Sequence, residues 1–346
     1  MTFGLVLENL GPIRGNFELK LDKPVTIITG DTGTGKTFIL KMLSLLIRHL
    51  SSSFNVKSLE EDVRNEFGHV PHIVTVGEKQ GLIKLHYADE DIASLRFYSI
   101  KENKIFDIGW IEKIYWRGGV QPIAEYSSNS VLALDERIPL VRAAIIKSQS
   151  STVPSANAYL NAFIELCKKN DPILEESLHT LNAINILPRV PSYFDRGIVR
   201  GIDARMLSAS VVAFLSLAPV INRLLEGRAL FAAVDTIELH LTPLLQIAAT
   251  VNLVRFAKFG WRRNEEQPVP LIITTHSSTV LAALVKEIED GISNNKITNL
   301  GKDYKLNDND IQTVILYREN GNIKWQIESG VIQLPTYLNE YVKLFY

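Results

Sequence analysis

One segment near the amino terminus constrains the fold more than any other feature of the chain. Residues 25–29 are β-branched and apolar on both faces, which is typical of a central parallel strand. A glycine-rich loop follows directly, and residues 36–50 continue without glycine or proline in a pattern that is apolar almost all round, as in a buried helix. A strand, a glycine-rich loop and a helix in this order predict an α/β fold of the P-loop NTPase type.

The loop contains every fixed residue of the phosphate-binding P-loop motif. In such loops, glycines let backbone N–H groups converge on phosphate oxygens, the lysine neutralises the β- and γ-phosphates, and the hydroxyl residue ligates Mg²⁺. We therefore expect ATP and Mg²⁺ as ligands. The expected nucleotide-binding residues are Gly30, Asp31, Thr32, Gly33, Thr34, Gly35, Lys36 and Thr37, of which Thr37 is also a metal ligand.

Composition narrows the classes of protein that remain. A chain of 346 residues can bury a large core, and a single cysteine, Cys167, excludes an internal disulfide framework and favours a cytoplasmic location. No export signal is visible, and the apolar runs fall short of the ~20 residues that cross a bilayer, so we expect a soluble protein with no membrane partner. A formal charge of −1 provides no general attraction to nucleic acid. Two local basic clusters are interpreted as solvated helix faces: Arg255, Lys258, Arg262 and Arg263, and Arg196, Arg200 and Arg205.

The remaining hydrophobic patterns describe a mixed sheet with additions. Alternation predicts a hairpin from residues 3–7 and 16–21, and further antiparallel strands within residues 69–110. Those further strands are expected at 72–76, 82–87, 94–98 and 104–108, and a last hairpin at 313–317 and 323–327. Residues 155–190 have a helical pattern and predict an inserted helical subdomain. Short apolar strands at 229–235 and 270–275, separated by a helix from 243 to about 261, predict parallel pairing.

Two of these strands end in side chains that suit phosphate chemistry. Asp235 ends the first strand and would hold Mg²⁺ through water, although an aspartate at this point could also cap the following helix. His276 follows the second strand and is a candidate sensor of the γ-phosphate, although a lone histidine is often structural.

The order of these motifs resembles the ABC-type ATPase heads of the SMC, RecF and OLD group. Four segments carry the resemblance: residues 8–13 resemble the opening strand and turn, 205–210 the signature motif, 235–243 the extended Walker B segment, and 275–278 the segment of the switch histidine. The signature-like segment is expected to precede a helix over 211–225. Weaker similarities lie in two places. Residues 131–137 stand where this group often has a strand that ends in a Glu-Arg pair, here Glu136 and Arg137, in place of the glutamine of transporter-type ATPases, and residues 330–336 resemble the group's closing segment.

The resemblance implies a single ABC-type ATPase domain over residues 1–346. Its mixed central sheet would be shared by an N-terminal lobe, 1–150, and a C-terminal lobe, 229–346, with a helical subdomain at 151–228. It also implies an ATP-dependent homodimer in which ATP on one P-loop is covered by the signature segment of the partner, here Ser208, Ala209 and Ser210. The implied function is a nucleotide-dependent dimerising switch in DNA maintenance, repair or chromosome organisation, with DNA or a DNA-processing protein as partner.

The sequence departs from the family pattern at two places. Thr236 stands where the family has its catalytic glutamate, and loss of a general base commonly costs about 10²–10⁴ in rate, so hydrolysis is expected to be slow or absent. Glu238 or Glu136 could partly substitute, which makes them, with His276, the candidate catalytic residues. In the signature segment, Ala209 and Ser210 replace the usual glycines and would crowd the approach to the partner's nucleotide.

Other functions stay open. Thr236 favours a non-hydrolysing protein in which ATP only stabilises a fold or an assembly. A transporter ATPase subunit is disfavoured because the distance in sequence from Lys36 to Ser208 is long and no clear glutamine loop is present. A nuclease of the OLD type would need a further acidic metal-binding domain.

Overall fold

The fold is described from a computed structural model of the chain. It describes residues 3–50, 55–68, 73–87, 90–99, 111–116, 129–134, 137–145, 154–169, 171–189, 191–192, 198–264, 268–292, 300 and 302–330. The predicted strand at 104–108, Glu136, Arg196 and most of the predicted closing segment, 331–336, lie outside these residues.

An eleven-stranded mixed sheet runs through the described part of the chain in the order β6-β5-β4-β1-β2-β13-β12-β3-β11-β10-β7, and β8 and β9 form a separate short hairpin. The strands are β1 (Phe3–Leu10), β2 (Ile13–Leu21), β3 (Val25–Gly30), β4 (Gln80–Tyr87), β5 (Glu90–Tyr98), β6 (Ile111–Trp116), β7 (Val131–Ala133), β8 (Ile198–Val199), β9 (Ile202–Asp203), β10 (Ala232–Val234), β11 (Leu271–Thr275), β12 (Ile311–Glu319) and β13 (Asn322–Ser329). From β12 to β7 the neighbours are parallel, while β1, β2, β4, β5 and β6 pair antiparallel.

Helices cover the sheet on both faces. They are α1 (Lys36–Leu50), α2 (Val56–Phe67), α3 (Arg137–Ile145), α4 (Pro154–Lys169), α5 (Pro172–Ala183), α6 (Ala209–Leu215), α7 (Ala218–Glu226), α8 (Pro243–Arg263) and α9 (Ser278–Glu289). On β3, Ile27 faces the core built with α3 to α9, and its neighbour Ile28 faces the core built with α1. Because successive side chains of a strand point to opposite faces, an unbroken apolar run such as β3 is what a strand buried on both faces requires.

The predicted fold class is confirmed. The opening hairpin pairs Phe3 with Leu21, β3 pairs in parallel with β11 and β12, and β10 pairs in parallel with β11 on either side of α8. The antiparallel strands near residues 82–87 and 94–98, the helical region after residue 154 and the last hairpin are also present.

Three local predictions were wrong or incomplete. No strand of the sheet runs through residues 73–76, where Val74 makes only an isolated bridge to Leu10, because Thr75 hydrogen-bonds the turn after β1. The helix expected over 211–225 is divided into α6 and α7, since Pro219 lies in the first turn of α7 and cannot supply an N–H for a continuous helix. Neither α2 nor β6 was expected from the sequence.

The α6–α7 region is apolar enough to resemble a membrane span. Its 18 residues, Ala209–Glu226, have a mean hydropathy of 1.4, yet 67% of the stretch is buried inside the fold. Its two short helices pack against α4, α5 and α8. The apolar character is therefore explained by the core of the helical region.

Four members of the two basic clusters are held in ion pairs. Arg255 is buried and makes a bidentate ion pair with Glu287, and the buried ammonium of Lys258 pairs with Asp310. The interpretation of these two as a solvated helix face was wrong, because α8 packs against α9 and the segment before β12 at this point. In the second cluster, Arg200 pairs with Glu175 and Arg205 with Asp203.

Candidate nucleotide-binding site

The P-loop lies between β3 and α1, and its glycines are required by close neighbours. Gly30 has φ 131°, and a Cβ there would lie 1.8 Å from the carbonyl oxygen of Leu316 on β12. Gly35 has φ 96°, and a Cβ there would lie 2.2 Å from Cγ of Pro12. Only glycine satisfies both the left-handed backbone and the space at these positions.

Lys36 points into the loop that it follows. Its Nζ donates to the carbonyl oxygens of Gly30 at 2.9 Å and Asp31 at 2.7 Å, and it lies 3.4 Å from Oγ1 of Thr34. Burial lowers the pKa of Lys36 to about 8, against the opposing charges of Asp235, Asp31 and Glu238. Phosphate charge at this place would favour the ammonium form and raise that pKa.

Asp235 joins the P-loop to the neighbouring strand. Its Oδ2 accepts a hydrogen bond from the hydroxyl of Thr37 at 2.8 Å, and its Oδ1 accepts one from the hydroxyl of Thr274 at 2.5 Å. The alternative of a helix cap at Asp235 was wrong, because the next helix, α8, has Thr242 as its N-cap residue.

These residues fit a magnesium site that is completed by phosphate and water. The described residues hold no group of three or more His, Cys, Asp or Glu that could form a metal cage. Mg²⁺ prefers hard oxygen ligands and is usually held by one or two protein groups together with nucleotide phosphates. The hydroxyl of Thr37 and the carboxylate of Asp235 supply that donor set.

Thr236 lies directly beside Asp235 in an unusual backbone conformation. Its φ is 48°, a left-handed value that is a genuine outlier for a β-branched residue. Its N–H donates to the hydroxyl of Thr274 at 2.7 Å, and its carbonyl oxygen accepts from Nη2 of Arg137 at 3.0 Å. The contacts around it therefore hold a conformation that costs of order 1–3 kcal/mol on its own.

Arg137, the first residue of α3, is buried beside the backbone of Asp235. It is 1% exposed, and its Nη1 donates to the carbonyl oxygens of Leu134 at 3.0 Å and Asp235 at 2.9 Å. Through these bonds the start of α3 fixes the backbone that carries Asp235.

Glu238 and the loop after β11 are tied together. The Oε2 atom of Glu238 accepts from the hydroxyl of Thr275 at 2.8 Å, and Oε1 accepts from the backbone N–H of His276 at 2.6 Å. The charge of Glu238 is among those that raise the pKa of Lys36, which places it in the electrostatic environment of the P-loop. The side chain of His276 is exposed at the same edge of the sheet.

The signature-like segment leads into the start of α6. The hydroxyl of Ser208 caps the helix by accepting from the N–H of Val211 at 3.3 Å, and Ala209 is the first helical residue. The hydroxyl of Ser210 donates to the carbonyl oxygen of His240 at 2.7 Å. Beside them, Met206 is 78% exposed.

A loop next to the P-loop is held by the turn between β1 and β2. The hydroxyl of Thr75 donates to the carbonyl oxygens of Gly11 at 3.0 Å and Ile13 at 2.6 Å. Arg14 donates to the carbonyl oxygen of Val76 at 3.0 Å, and the Val76 side chain is 87% exposed. An aliphatic side chain is thus presented to solvent on a fixed backbone.

The structure therefore brings together most of the expected residues. Lys36, Thr37, Asp235, Glu238 and His276 gather where β3, β10 and β11 end, as expected for the carboxyl edge of a parallel sheet. Sequence reasoning missed Thr274, which lies one position before the noted Thr275 and bridges Asp235 and Thr236.

Comparisons with known proteins bear on this arrangement. A family model for an AAA domain matches residues 5–188, which is more than half of the chain. A search of curated proteins finds no match. Among solved structures, an SMC head bound to the C-winged helix domain of ScpA has a TM-score of 0.53 at 15% identity, covering 94% of this chain and 97% of that one. At this identity the match shows a shared fold.

Two further SMC heads are similar at a lower level. The SMC head domain from Thermotoga maritima has a TM-score of 0.47 at 11% identity, covering 94% of this chain and 98% of that one. An SMC head domain with an extended coiled coil, bound to the C-terminal domain of ScpA and derived from Pyrococcus furiosus, has a TM-score of 0.47 at 13% identity, covering 100% and 99%.

Proposed function

The chain belongs to the AAA domain family and shares its fold with an SMC head, and from this we propose that it is an ABC-type ATPase head of the SMC group that acts as a Mg²⁺-ATP-dependent dimerising switch with slow hydrolysis. The fold is that of a nucleotide-binding ATPase. The observation that carries the proposal is the contact of Thr37 with Asp235 at 2.8 Å, beside a P-loop lysine whose ammonium points into the loop.

The phosphate groups of ATP would be bound by the P-loop residues 30–37. The ammonium of Lys36 now bonds the carbonyls of Gly30 and Asp31, and it would turn to the β- and γ-phosphates when ATP enters. Thr37 and Asp235 would hold Mg²⁺, which supplies positive charge against the phosphate oxygens, Thr37 directly and Asp235 through water.

The base of the nucleotide would extend past the start of α1. The turn between β1 and β2 packs on Gly35 there, and the loop with Val76 is hydrogen-bonded to that turn. An exposed aliphatic side chain beside the guanidinium of Arg14 suits the face of an aromatic base. This contact is expected to add affinity for the nucleotide without distinguishing one base from another, because it would not hydrogen-bond the edge of the base.

Slow hydrolysis follows from the residues around the γ-phosphate position. Threonine at 236 has no carboxylate that could act as a general base. Glu238 lies within the charge environment of Lys36 and is our candidate for partial substitution, with His276 as the sensor of the γ-phosphate. Glu136 lies outside the described residues, and it is proposed as a second possible substitute for the missing glutamate from the sequence alone.

The dimer would be formed head to tail, with Ser208, Ala209 and Ser210 of one subunit covering the nucleotide of the other. Met206, beside this segment, is 78% exposed and would be covered in such a dimer. A partner that is DNA or a DNA-processing protein is proposed from the family alone, because four members of the basic clusters, Arg200, Arg205, Arg255 and Lys258, are already engaged in ion pairs. A cytoplasmic location is proposed from the single cysteine.

Light scattering with and without Mg²⁺-ATP tests the switch directly. We expect the wild-type mass to double in the presence of Mg²⁺ and a non-hydrolysable ATP analogue and to return to the monomer with ADP. Lys36→Ala should stay monomeric in every condition. An unchanged wild-type mass under conditions where calorimetry detects nucleotide binding would refute the dimerising switch and leave ATP binding intact.

A second function is favoured by the conformation of Thr236. The N–H of Thr236 is hydrogen-bonded to Thr274 and its carbonyl oxygen to Arg137. Thr236 therefore has a fixed backbone, and it places no carboxylate next to Asp235. This suits a protein in which ATP stabilises an assembly and is not turned over. Phosphate release that exceeds the Lys36→Ala background would exclude this second function, whereas binding without turnover would support it.

A further inference from the structure

The segment from Thr236 to Leu241 contacts two parts of the chain that the proposed function treats separately. On one side it is bonded to the loop after β11, through the contact of Glu238 with the N–H of His276. On the other side it is bonded to the signature-like segment, through the contact of Ser210 with the carbonyl oxygen of His240. We call this stretch, residues 236–241, the bridging segment.

Two adjacent carbonyl groups of the bridging segment accept side-chain hydrogen bonds from different parts of the chain. The carbonyl oxygen of His240 accepts from Ser210 at 2.7 Å, and that of Leu241 accepts from Nε2 of Gln246 at 2.9 Å. The Oε1 atom of Gln246 accepts in turn from the hydroxyl of Ser277 at 2.6 Å, next to His276. These hydrogen bonds, joined by the backbone between His240 and Leu241, connect the loop after β11, which holds the expected sensor His276, to the start of α6.

The Ser210 hydroxyl is not needed to cap its own helix. Ser208 already fills that role by accepting from the N–H of Val211. His240 has a left-handed φ of 59°, and its carbonyl oxygen accepts the Ser210 hydroxyl. A glycine at position 210, as in the family pattern, has no hydroxyl and could not make this contact.

A second connection joins the same two regions through α3. Arg137 at the start of this helix donates to the carbonyl oxygens of Asp235 and Thr236, and Arg142, one turn further on, donates to the carbonyl oxygen of Leu207 at 2.9 Å. The backbone on both sides of the bridge is therefore fixed to one helix.

From these contacts we infer that Ser210 is a positioning residue that couples the signature-like segment to the nucleotide on its own P-loop. ATP that engages Asp235 and the sensor loop shifts the bridging segment, and the Ser210 contact passes this shift to residues 205–213. The segment that covers the partner's nucleotide thus responds to the nucleotide of its own subunit before any partner arrives. This inference rests on the proposed ATP binding and adds a link that does not depend on dimerisation.

Hydrogen exchange read by mass spectrometry tests the link, at a protein concentration where light scattering shows a monomer. In the wild type, Mg²⁺ with a non-hydrolysable ATP analogue should slow exchange in peptides covering residues 30–40, 235–243 and 205–213. In Ser210→Ala, the first two peptides should respond as before, and the response of 205–213 should fall at least threefold. Ser210→Thr keeps a hydroxyl and should restore it.

Two further variants separate the link from general effects. Ser177→Ala removes a hydroxyl from α5, where it bonds the carbonyl of Ile173, and should behave as wild type. Ser210→Ala combined with Arg142→Met removes both connections and should abolish the response of residues 205–213 altogether.

The outcomes distinguish failure of the link from failure of ATP binding. Normal protection of residues 30–40 with an undiminished response of 205–213 in Ser210→Ala would overturn the role of Ser210. Protection of residues 30–40 with no response of 205–213 in the wild type would overturn the coupling. If the ATP analogue protects residues 30–40 in neither the wild type nor Lys36→Ala, ATP binding itself is overturned, and with it the input on which the coupling depends.

Discussion

The two sides of the candidate site differ in how much of the required chemistry their residues supply. On the proposed phosphate-binding side, here called the phosphate side, residues 30–37 and Asp235 provide the glycines, the lysine, the hydroxyl and the carboxylate of a P-loop site. Within this set Lys36 is bonded to Gly30 and Thr37 to Asp235. The side where the attacking water would stand is here called the water side. There Thr236 has a left-handed backbone conformation, and the nearest described carboxylate on residues 236–241, that of Glu238, is hydrogen-bonded to Thr275 and His276 at the end of β11. In the proposed function, binding of ATP and attack of water on its γ-phosphate therefore depend on separate residues, so that a chain can keep the first without the second.

The largest expected effect comes from giving the water side its missing carboxylate. Thr236→Glu should raise the rate of phosphate release by about 10² or more, because a positioned general base is commonly worth 10²–10⁴. Steady-state phosphate release with saturating Mg²⁺-ATP measures it. Thr236→Gln has the same length without the charge and should remain as slow as the wild type. Equal rates for the two variants would show that the carboxylate is not what this side lacks.

The next effect concerns the phosphate side. Lys36→Ala should weaken ATP binding by about 10²-fold, because it removes a charge-assisted hydrogen bond to phosphate worth roughly 1.5–3 kcal/mol. Calorimetric titration with Mg²⁺-ATP measures the affinity. Lys41 lies on the same helix and pairs with Glu66, so the control variant Lys41→Ala should bind ATP as the wild type does. A Lys36→Ala affinity within threefold of wild type would remove the phosphate side from the comparison.

A smaller effect should identify what Glu238 does. Glu238→Gln should lower the slow hydrolysis of the wild type about tenfold, at the lower end of general-base effects, and leave ATP affinity unchanged. The same change in the Thr236→Glu background should have little effect, because the new carboxylate replaces its role. This double-mutant cycle is measured by phosphate release. Equal losses in both backgrounds would mean that Glu238 acts only by holding the sensor loop.

The two sides also differ in how far the sequence predicts them. The phosphate side is continuous in sequence, and the strand, loop and helix around Lys36 follow from local hydrophobic pattern and glycine spacing, as found. The strand that presents Asp235 and its parallel partner were predicted for the same reason, because short apolar strands flanking a helix leave few pairings.

The water side depends on contacts between distant residues, which local pattern does not contain. Thr274 lies in an apolar strand, and nothing in its neighbours indicates that its hydroxyl bridges Asp235 and Thr236. The clamp by Arg137 joins residues about a hundred positions apart and requires the fold to be known. The sequence also did not predict the positive φ of Thr236, because β-branched residues favour extended backbone.

The smallest expected effect is on stability and asks whether Thr236 is strained. Thr236→Asn should stabilise the protein by up to about 1 kcal/mol, because asparagine tolerates the left-handed conformation that costs most other residues roughly 1–2 kcal/mol. Urea denaturation followed by circular dichroism measures the change. Thr236→Val keeps the β-branched shape and should show no such gain, so a gain in both variants would point to the hydroxyl instead of the backbone. A less stable Thr236→Asn would mean that the contacts of Arg137 and Thr274 hold this backbone without strain, and that the water side differs from the phosphate side only in lacking a carboxylate.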